Sequence, residues 1–197
     1  MAKQNVTRQE QKELTRTGLI QSASRLFIKN GISNTATADV AKAQRVSHGT
    51  VFVHFPTREE LILAVIDDFG IKLSQKFGHG MNQKDLRSLL EFHLGILSEY
   101  EDFYHRLLSE LVHLPEKVKS TVFMLNSAVS WKLYDAAKPL MERGEIKKIS
   151  RPWLFNTWMS LVHYQITYRD LLAEKKPILK EKKRELVDHF FNLIQQK

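Results

Sequence analysis

The sequence predicts an all-α protein of about nine helices, and three observations carry that reading. Apolar residues recur at spacings of three and four nearly everywhere along the 197 residues. The breaks between periodic stretches carry helix punctuation, with Gly after one stretch and Pro or a hydroxyl residue before the next. Only one segment, "TVFVHF" at residues 50–55, has the β-branched and aromatic run of a strand.

Leu19, Ala23, Leu26 and Phe27 form one face of a first helix, which Gly31 stops. "SNTATADVAKAQ" gives a short second helix with Thr35 or Thr37 as cap and Asp39 in its first turn, where the helix dipole favours an acid. After residues 45–55, Thr57 and Glu60 form a capping box for a long helix reaching Phe77. "QKDLRSLLEFHLGILSEY" and "EDFYHRLLSELVHL" supply two more. Pro115 opens and Gly144 closes the next, and Pro152 and Pro177 stand at the start of the last two. The final helix carries Leu186, Val187, Phe190, Phe191 and Ile194 on one stripe. A boundary is expected near Gly78 and Gly80. That gives an N-terminal domain over 1–57, a connecting helix over 58–77 and a helical body over 78–197.

Composition narrows the function. The chain is 43% hydrophobic and 26% charged, as expected for a globular protein. It has no Cys, which suits a reducing compartment. Its polar N-terminus holds no secretory apolar core, and no apolar stretch reaches bilayer length. A cytoplasmic protein without membrane attachment is expected. The net charge of +8 favours a polyanionic partner, although the basic clusters "EIKKISR" and "EKKPILKEKKRE" read more simply as solvated faces. His93, His105, His113 and His163 are scattered without paired metal-ligand spacing. No phosphate-cradling Gly loop or nucleophile elbow is present. No enzyme activity, metal or cofactor is expected.

A short helix over about 37–44, a tight turn and a second short helix, behind a longer supporting helix, make a helix-turn-helix. This explains "TVFVHF": packing overrides β-propensity, and helical spacing turns Val51 and Phe55 toward the core while His48, Thr50 and His54 face away. Residues 16–66 also resemble the TetR family of transcriptional regulators. The resemblance rests on Leu26-Phe27, Gly31, Thr35, Val40-Ala41, Val46-Ser47, Gly49-Thr50, Val51-Phe52, His54-Phe55 and Arg58-Glu59-Glu60-Leu61, in register with the family pattern. Three positions depart from that pattern. Arg45 stands where Gly is usual, Phe52 replaces a phosphate-bonding Tyr, and Ala38 replaces a longer side chain.

The resemblance implies a DNA-binding head, a ligand-binding body and a homodimer docked through the last two helices. It places phosphate contacts at Thr37, Thr50, His54 and Arg58, helped by Lys3, Arg8 and Lys12 of an N-terminal arm. His48, at the start of the recognition helix, falls where base edges are read. Ser47 caps that helix, and Phe52 lies on it. Gly49 either lets backbone approach DNA or is a tolerated small residue, and Arg45 is either a DNA contact or an exposed turn residue.

Residues 82–170 are rich in polar-tipped aromatics, which at helical spacing are usually core but as a group suit a small-ligand pocket. The resemblance implies such a pocket, and Phe92, Phe123, Met124, Ser127, Trp131, Trp158, His163 and Tyr164 are its expected lining. The expected effector is apolar or aromatic. The expected dimer face combines Leu186, Phe190, Phe191 and Ile194 with Trp158, Val162 and Ile166, so a charge at Phe190 should give a monomer that cannot bind an operator. The expected function is that of a repressor released when the ligand pivots the fourth helix. The competing class is a structural or protein-interaction module whose basic residues are merely solvated.

Overall fold

Thr7 opens the first helix. Its hydroxyl accepts from Glu10 N at 3.2 Å, and the Glu10 carboxylate accepts from Thr7 N at 2.7 Å. This reciprocal cap starts α1 (Arg8–Asn30) well before the apolar period that begins at Leu19. The computed structural model describes residues 7–79, 85–172 and 177–196. Arg8 and Lys12, expected in an arm, are therefore helical and exposed, whereas Lys3 lies outside the described residues.

α1 ends at Gly31, whose φ of 95° and ψ of 153° lie in a region that is essentially Gly-only. α2 (Thr37–Gln44) comes next, but neither expected Thr caps it. Thr35 is buried and gives its hydroxyl to the Gly31 carbonyl at 2.7 Å, and Ala36 holds the cap position. Asp39 still serves the expected end, accepting from Ala36 N at 3.0 Å. α3 (His48–His54) starts at Ser47, whose hydroxyl accepts from Thr50 N at 3.1 Å. Thr57 accepts from Glu60 N at 3.2 Å and opens α4 (Arg58–His79).

α5 (Leu86–Glu99), α6 (Glu101–Glu110), a 3₁₀ turn (Leu111–His113) and α7 (Glu116–Glu142) come after it. The last two expected helices are each broken once, at Tyr168 and at Lys182. They become α8 (Arg151–Thr167) with α9 (Arg169–Leu172), and α10 (Ile178–Glu181) with α11 (Lys183–Ile194). Eleven α-helices therefore stand among the described residues where about nine were expected, with no strand beyond an isolated bridge between Ile146 and Gln195.

The chain forms two compact units, divided along a different line from the expected boundaries. One comprises Met1–Phe69 with Glu110–Thr121, and the other Gly70–Ser109 with Val122–Lys197. In the first unit α2 packs on α1 and α3, over a core that includes Leu19, Phe27, Ile32, Val40, Val51 and Phe55. Val51 and Phe55 face inward as helical spacing requires, and Ser22 ties α1 to α2 through Gln44 Oε1 at 2.8 Å.

In the second unit α5 and α8 each pack on α10 and α11. Trp158 is wholly buried. Its indole N–H donates to His93 Nδ1 at 3.0 Å, and its ring meets Phe190 edge-on at 5.2 Å. The buried Glu101 carboxylate accepts from Ile178 N and Leu179 N, both at 3.0 Å, which satisfies the orphan donors at the start of α10. No helix among the described residues is long and apolar enough to cross a membrane.

Candidate nucleic-acid interface and ligand cleft

The outward face of α3 is built by default. Val51 and Phe55 are taken by the core, so His48, Gly49, Phe52 and Val53 are left to solvent. Phe52 is 43% exposed and Val53 72% exposed, high values for large apolar side chains. His48 stacks on Phe52 one turn later, with ring centroids 4.8 Å apart, and its Nε2 lies 2.9 Å from the Thr37 hydroxyl at the start of α2. The imidazole is thus fixed at the N-terminal end of the helix. The helical wheel also presents Val53, which the strand-like look of the segment had hidden.

The turn between α2 and α3 accepts a non-Gly residue by adopting the left-handed conformation. Arg45 has φ 58° and ψ 43°, with its N–H directed to Lys42 O at 3.2 Å. Among the described residues it is the one non-Gly position with positive φ. Such a conformation costs an L-residue on the order of 1–2 kcal/mol. Its side chain is exposed, two residues before the Ser47 cap of α3.

Two residues expected to hold phosphate are otherwise engaged. Arg58 turns inward, donating to the carbonyls of Ile32, Ser33 and Thr35. His54 is half-buried, and its Nδ1 is buried without a hydrogen-bond partner. Burial lowers its pKa, and the positive charges of Lys12 and Arg16 lower it further. Thr50 is half-buried and shares its hydroxyl with Ser47 at 2.8 Å. The remaining face is Thr37, Arg45, Ser47, His48, Gly49, Phe52 and Val53.

In the second unit a cleft of about 570 Å³ runs between α7 and α8. Phe123, Ser127 and His163, expected in a pocket, do line it, together with Ser130, Arg151, Phe155 and Met159. The other five expected residues lie elsewhere. Trp158 fills the core, and Phe92 packs on Phe77 at 5.7 Å. Met124, Trp131 and Tyr164 face solvent. Arg151 is held over the Trp131 ring at 4.1 Å and donates to the Ser130 hydroxyl at 3.4 Å. No carboxylate lines the cleft. Behind it, the His163 Nε2 lies 2.9 Å from the Tyr104 hydroxyl, and burial lowers the pKa of His163. Among the described residues no group of three or more His, Asp or Glu is placed to hold a metal ion.

The expected dimer stripe is spent within the single chain. Trp158, Val162, Ile166, Leu186, Phe190 and Ile194 are all buried in the core of their own unit, which leaves Phe191 alone half-exposed. The periodicity is real, but it faces inward.

Fold and surface together define a class: a helix-turn-helix head with a solvent-facing recognition helix, joined to an all-α body. Residues 19–65 match the family of bacterial regulatory proteins of the tetR type. The HTH-type transcriptional repressor Rv3405c of Mycobacterium tuberculosis is 40% identical over 57 residues, 29% of this chain and 30% of that protein. The regulator TtgR of Pseudomonas putida is 38% identical over 61 residues, 31% of this chain and 29% of its own length. The chain thus matches less than a third of these relatives' length. The fold is shared over nearly the whole chain. FadR of Bacillus subtilis, solved with stearoyl-CoA, aligns with a TM-score of 0.76 over 91% of this chain and 99% of its own, at 14% identity. A regulator from Saccharomonospora viridis, solved with choline, gives 0.75 over 94% and 100%, at 16% identity. Residues 19–65 thus match the tetR family, and the rest of the chain shares the fold of these solved regulators.

Proposed function

We propose that the protein is a DNA-binding transcriptional repressor whose operator binding is relieved by a small apolar or aromatic ligand held in the helical body. The observation that carries the DNA-binding reading is the outward stripe of α3, where His48 is braced by Thr37 and Phe52 at the end of the helix that meets base edges. A two-fold dimer would set two such helices roughly 34–36 Å apart, in successive major grooves of a near-palindromic site. Selection of duplexes from a random-sequence pool, with mobility shifts then run across salt, tests this reading. Affinity for the enriched duplex should fall steeply with salt. A chain that shifts no duplex at any salt is instead an interaction module.

The α7–α8 cleft is the favoured effector site. Phe123, Phe155 and Met159 offer an apolar wall, Ser127 and Ser130 offer hydroxyls, and Arg151 stands at one end with no opposing carboxylate. That set suits an aromatic or apolar ligand with a polar or anionic end. Two proteins of this fold hold small molecules in their structures, and those ligands differ widely, so only the presence of a site carries over. The aromatic sulfonate 1-anilinonaphthalene-8-sulfonate is a suitable probe. Its fluorescence should rise with the protein and be lost in Ser127→Trp, which fills the cleft. Release requires only that the ligand bind the non-reading state more tightly. α4 runs unbroken through the unit boundary at Phe69–Gly70 and is the expected lever.

A further inference from the structure

The turn that joins α1 to α2 is held from both sides by side chains distant in sequence. Its donors are satisfied by Glu110, whose carboxylate accepts from Ile32 N at 2.9 Å and from Ser33 N at 2.6 Å. Its acceptors are satisfied by Arg58, whose guanidinium donates to the carbonyls of Ile32, Ser33 and Thr35. Gly31 makes the approach possible: a Cβ there would stand 2.8 Å from Glu110 Oε1, and its φ of 95° is closed to other residues. Successive N–H groups turned toward one carboxylate form an anion-binding nest, and bonds from such donors to a charged acceptor are roughly twice as strong as neutral ones.

The turn matters because it sets the start of α2. Thr35 is its last residue and α2 begins at Thr37, whose hydroxyl holds His48 on the recognition helix. A turn free to rock would move Thr37 and with it the imidazole. Glu110 also comes from the segment Glu110–Thr121, which belongs to the head although it lies far beyond it in sequence.

We propose that Glu110 is a positioning residue for DNA reading, fixing with Arg58 the turn from which α2 and α3 are hung. The inference rests on the DNA-binding reading above. It makes a prediction of unusual sign. Removing an acid from a DNA-binding head should strengthen DNA binding if charge alone mattered. Loss of the clamp should weaken it.

The test uses the full-length chain and a duplex enriched by the wild-type protein from a random pool. Glu110→Ala should bind that duplex about tenfold more weakly, with an unchanged salt slope because Glu110 touches no phosphate. Amide exchange at Ile32 and Ser33 should accelerate in the same variant, with the helical melting transition retained. Glu110→Gln, which keeps one oxygen as acceptor, should recover most of the affinity. Enrichment by wild type together with Glu110→Ala affinity equal to or above wild type overturns this inference and leaves DNA reading intact. Unchanged exchange at Ile32 and Ser33 overturns it as well. Failure of wild type to enrich any duplex overturns DNA reading and the positioning role together.

Discussion

The Nε2 of His48 lies 2.9 Å from the hydroxyl of Thr37, linking the first residue of α3 to the first residue of α2. The bond ties up one ring nitrogen and, on the DNA-binding reading proposed above, leaves the other for a base edge. A good contact of that kind discriminates between bases by about 1–3 kcal/mol. His48→Ala should therefore cut the preference for an enriched duplex over random DNA by about tenfold or more, leaving the salt slope unchanged. Thr37→Val, which removes the brace but keeps the imidazole, should lose part of that preference. Equal preference in wild type and His48→Ala, measured by competition mobility shift, would show that His48 reads nothing.

Arg45 sits in the left-handed region at the helix-turn-helix corner. Glycine there removes a backbone cost of about 1–2 kcal/mol but brings back about 0.5–1 kcal/mol of unfolded-chain entropy. Arg45→Gly should thus leave the protein equally stable or up to about 1.5 kcal/mol more stable in denaturant melts. The same change should weaken binding to all duplexes uniformly and lower the salt slope by about one, as loss of a phosphate contact does. A slope that does not move would return Arg45 to the role of an exposed turn residue.

The head was largely legible because its information is local. The stop at Gly31, the inward turn of Val51 and Phe55 and the cap at Ser47 are each signalled within a turn or two of their own position, and the periodicity records them. Arg58 shows the limit. Its register placed it on the DNA face, but its hydrogen bonds go to the carbonyls of a turn 23–26 residues earlier, and no spacing rule encodes that direction. Glu110 was out of reach for the same reason, acting on Ile32 across 78 positions. The apolar stripe of α11 failed differently. Periodicity reveals that a face is buried, never by whom, so Phe190 could be read against a partner although it packs on Trp158 of the same chain.

His93 supplies a pH dependence with a definite sign. Burial and, to a lesser extent, the charge of His163 push its pKa down to about 3 from the ordinary 6.5. The unfolded chain then takes up a proton near pH 6.5 that the native state refuses until about pH 3. The stability contributed is complete above pH 6.5 and is lost as pH falls toward 3, by up to about 1.4 kcal/mol per unit. Chemical denaturation at pH 7, 6 and 5 should show this decline. His93→Gln keeps an acceptor for the Trp158 indole but cannot titrate, so its decline should be shallower. His54, His105 and His163, also lowered by burial, add to the decline in the same direction. Identical slopes in wild type and His93→Gln would assign the pH dependence elsewhere.

With the α11 stripe buried in its own unit, we propose the outward side of α8 as the dimer contact. There Trp153, Asn156, Ser160 and Tyr164 recur one turn apart, and Trp153 and Tyr164 are 70% and 56% exposed. Exposed large aromatic side chains such as these two are enriched at protein interfaces. The two locations predict opposite behaviour under charge substitution. Phe190→Asp places a carboxylate in the Trp158 core and should cost about 3–5 kcal/mol or more, giving an unfolded or aggregated chain. The double change Trp153→Asp and Tyr164→Asp touches exposed positions and should leave the melting transition in place while converting a dimer to a monomer in sedimentation equilibrium. With the half-sites no longer linked, affinity for a palindromic duplex should drop steeply in the same variant. A double variant that remains dimeric with full affinity would remove α8 from the interface. A folded monomer from Phe190→Asp would put α11 back in it.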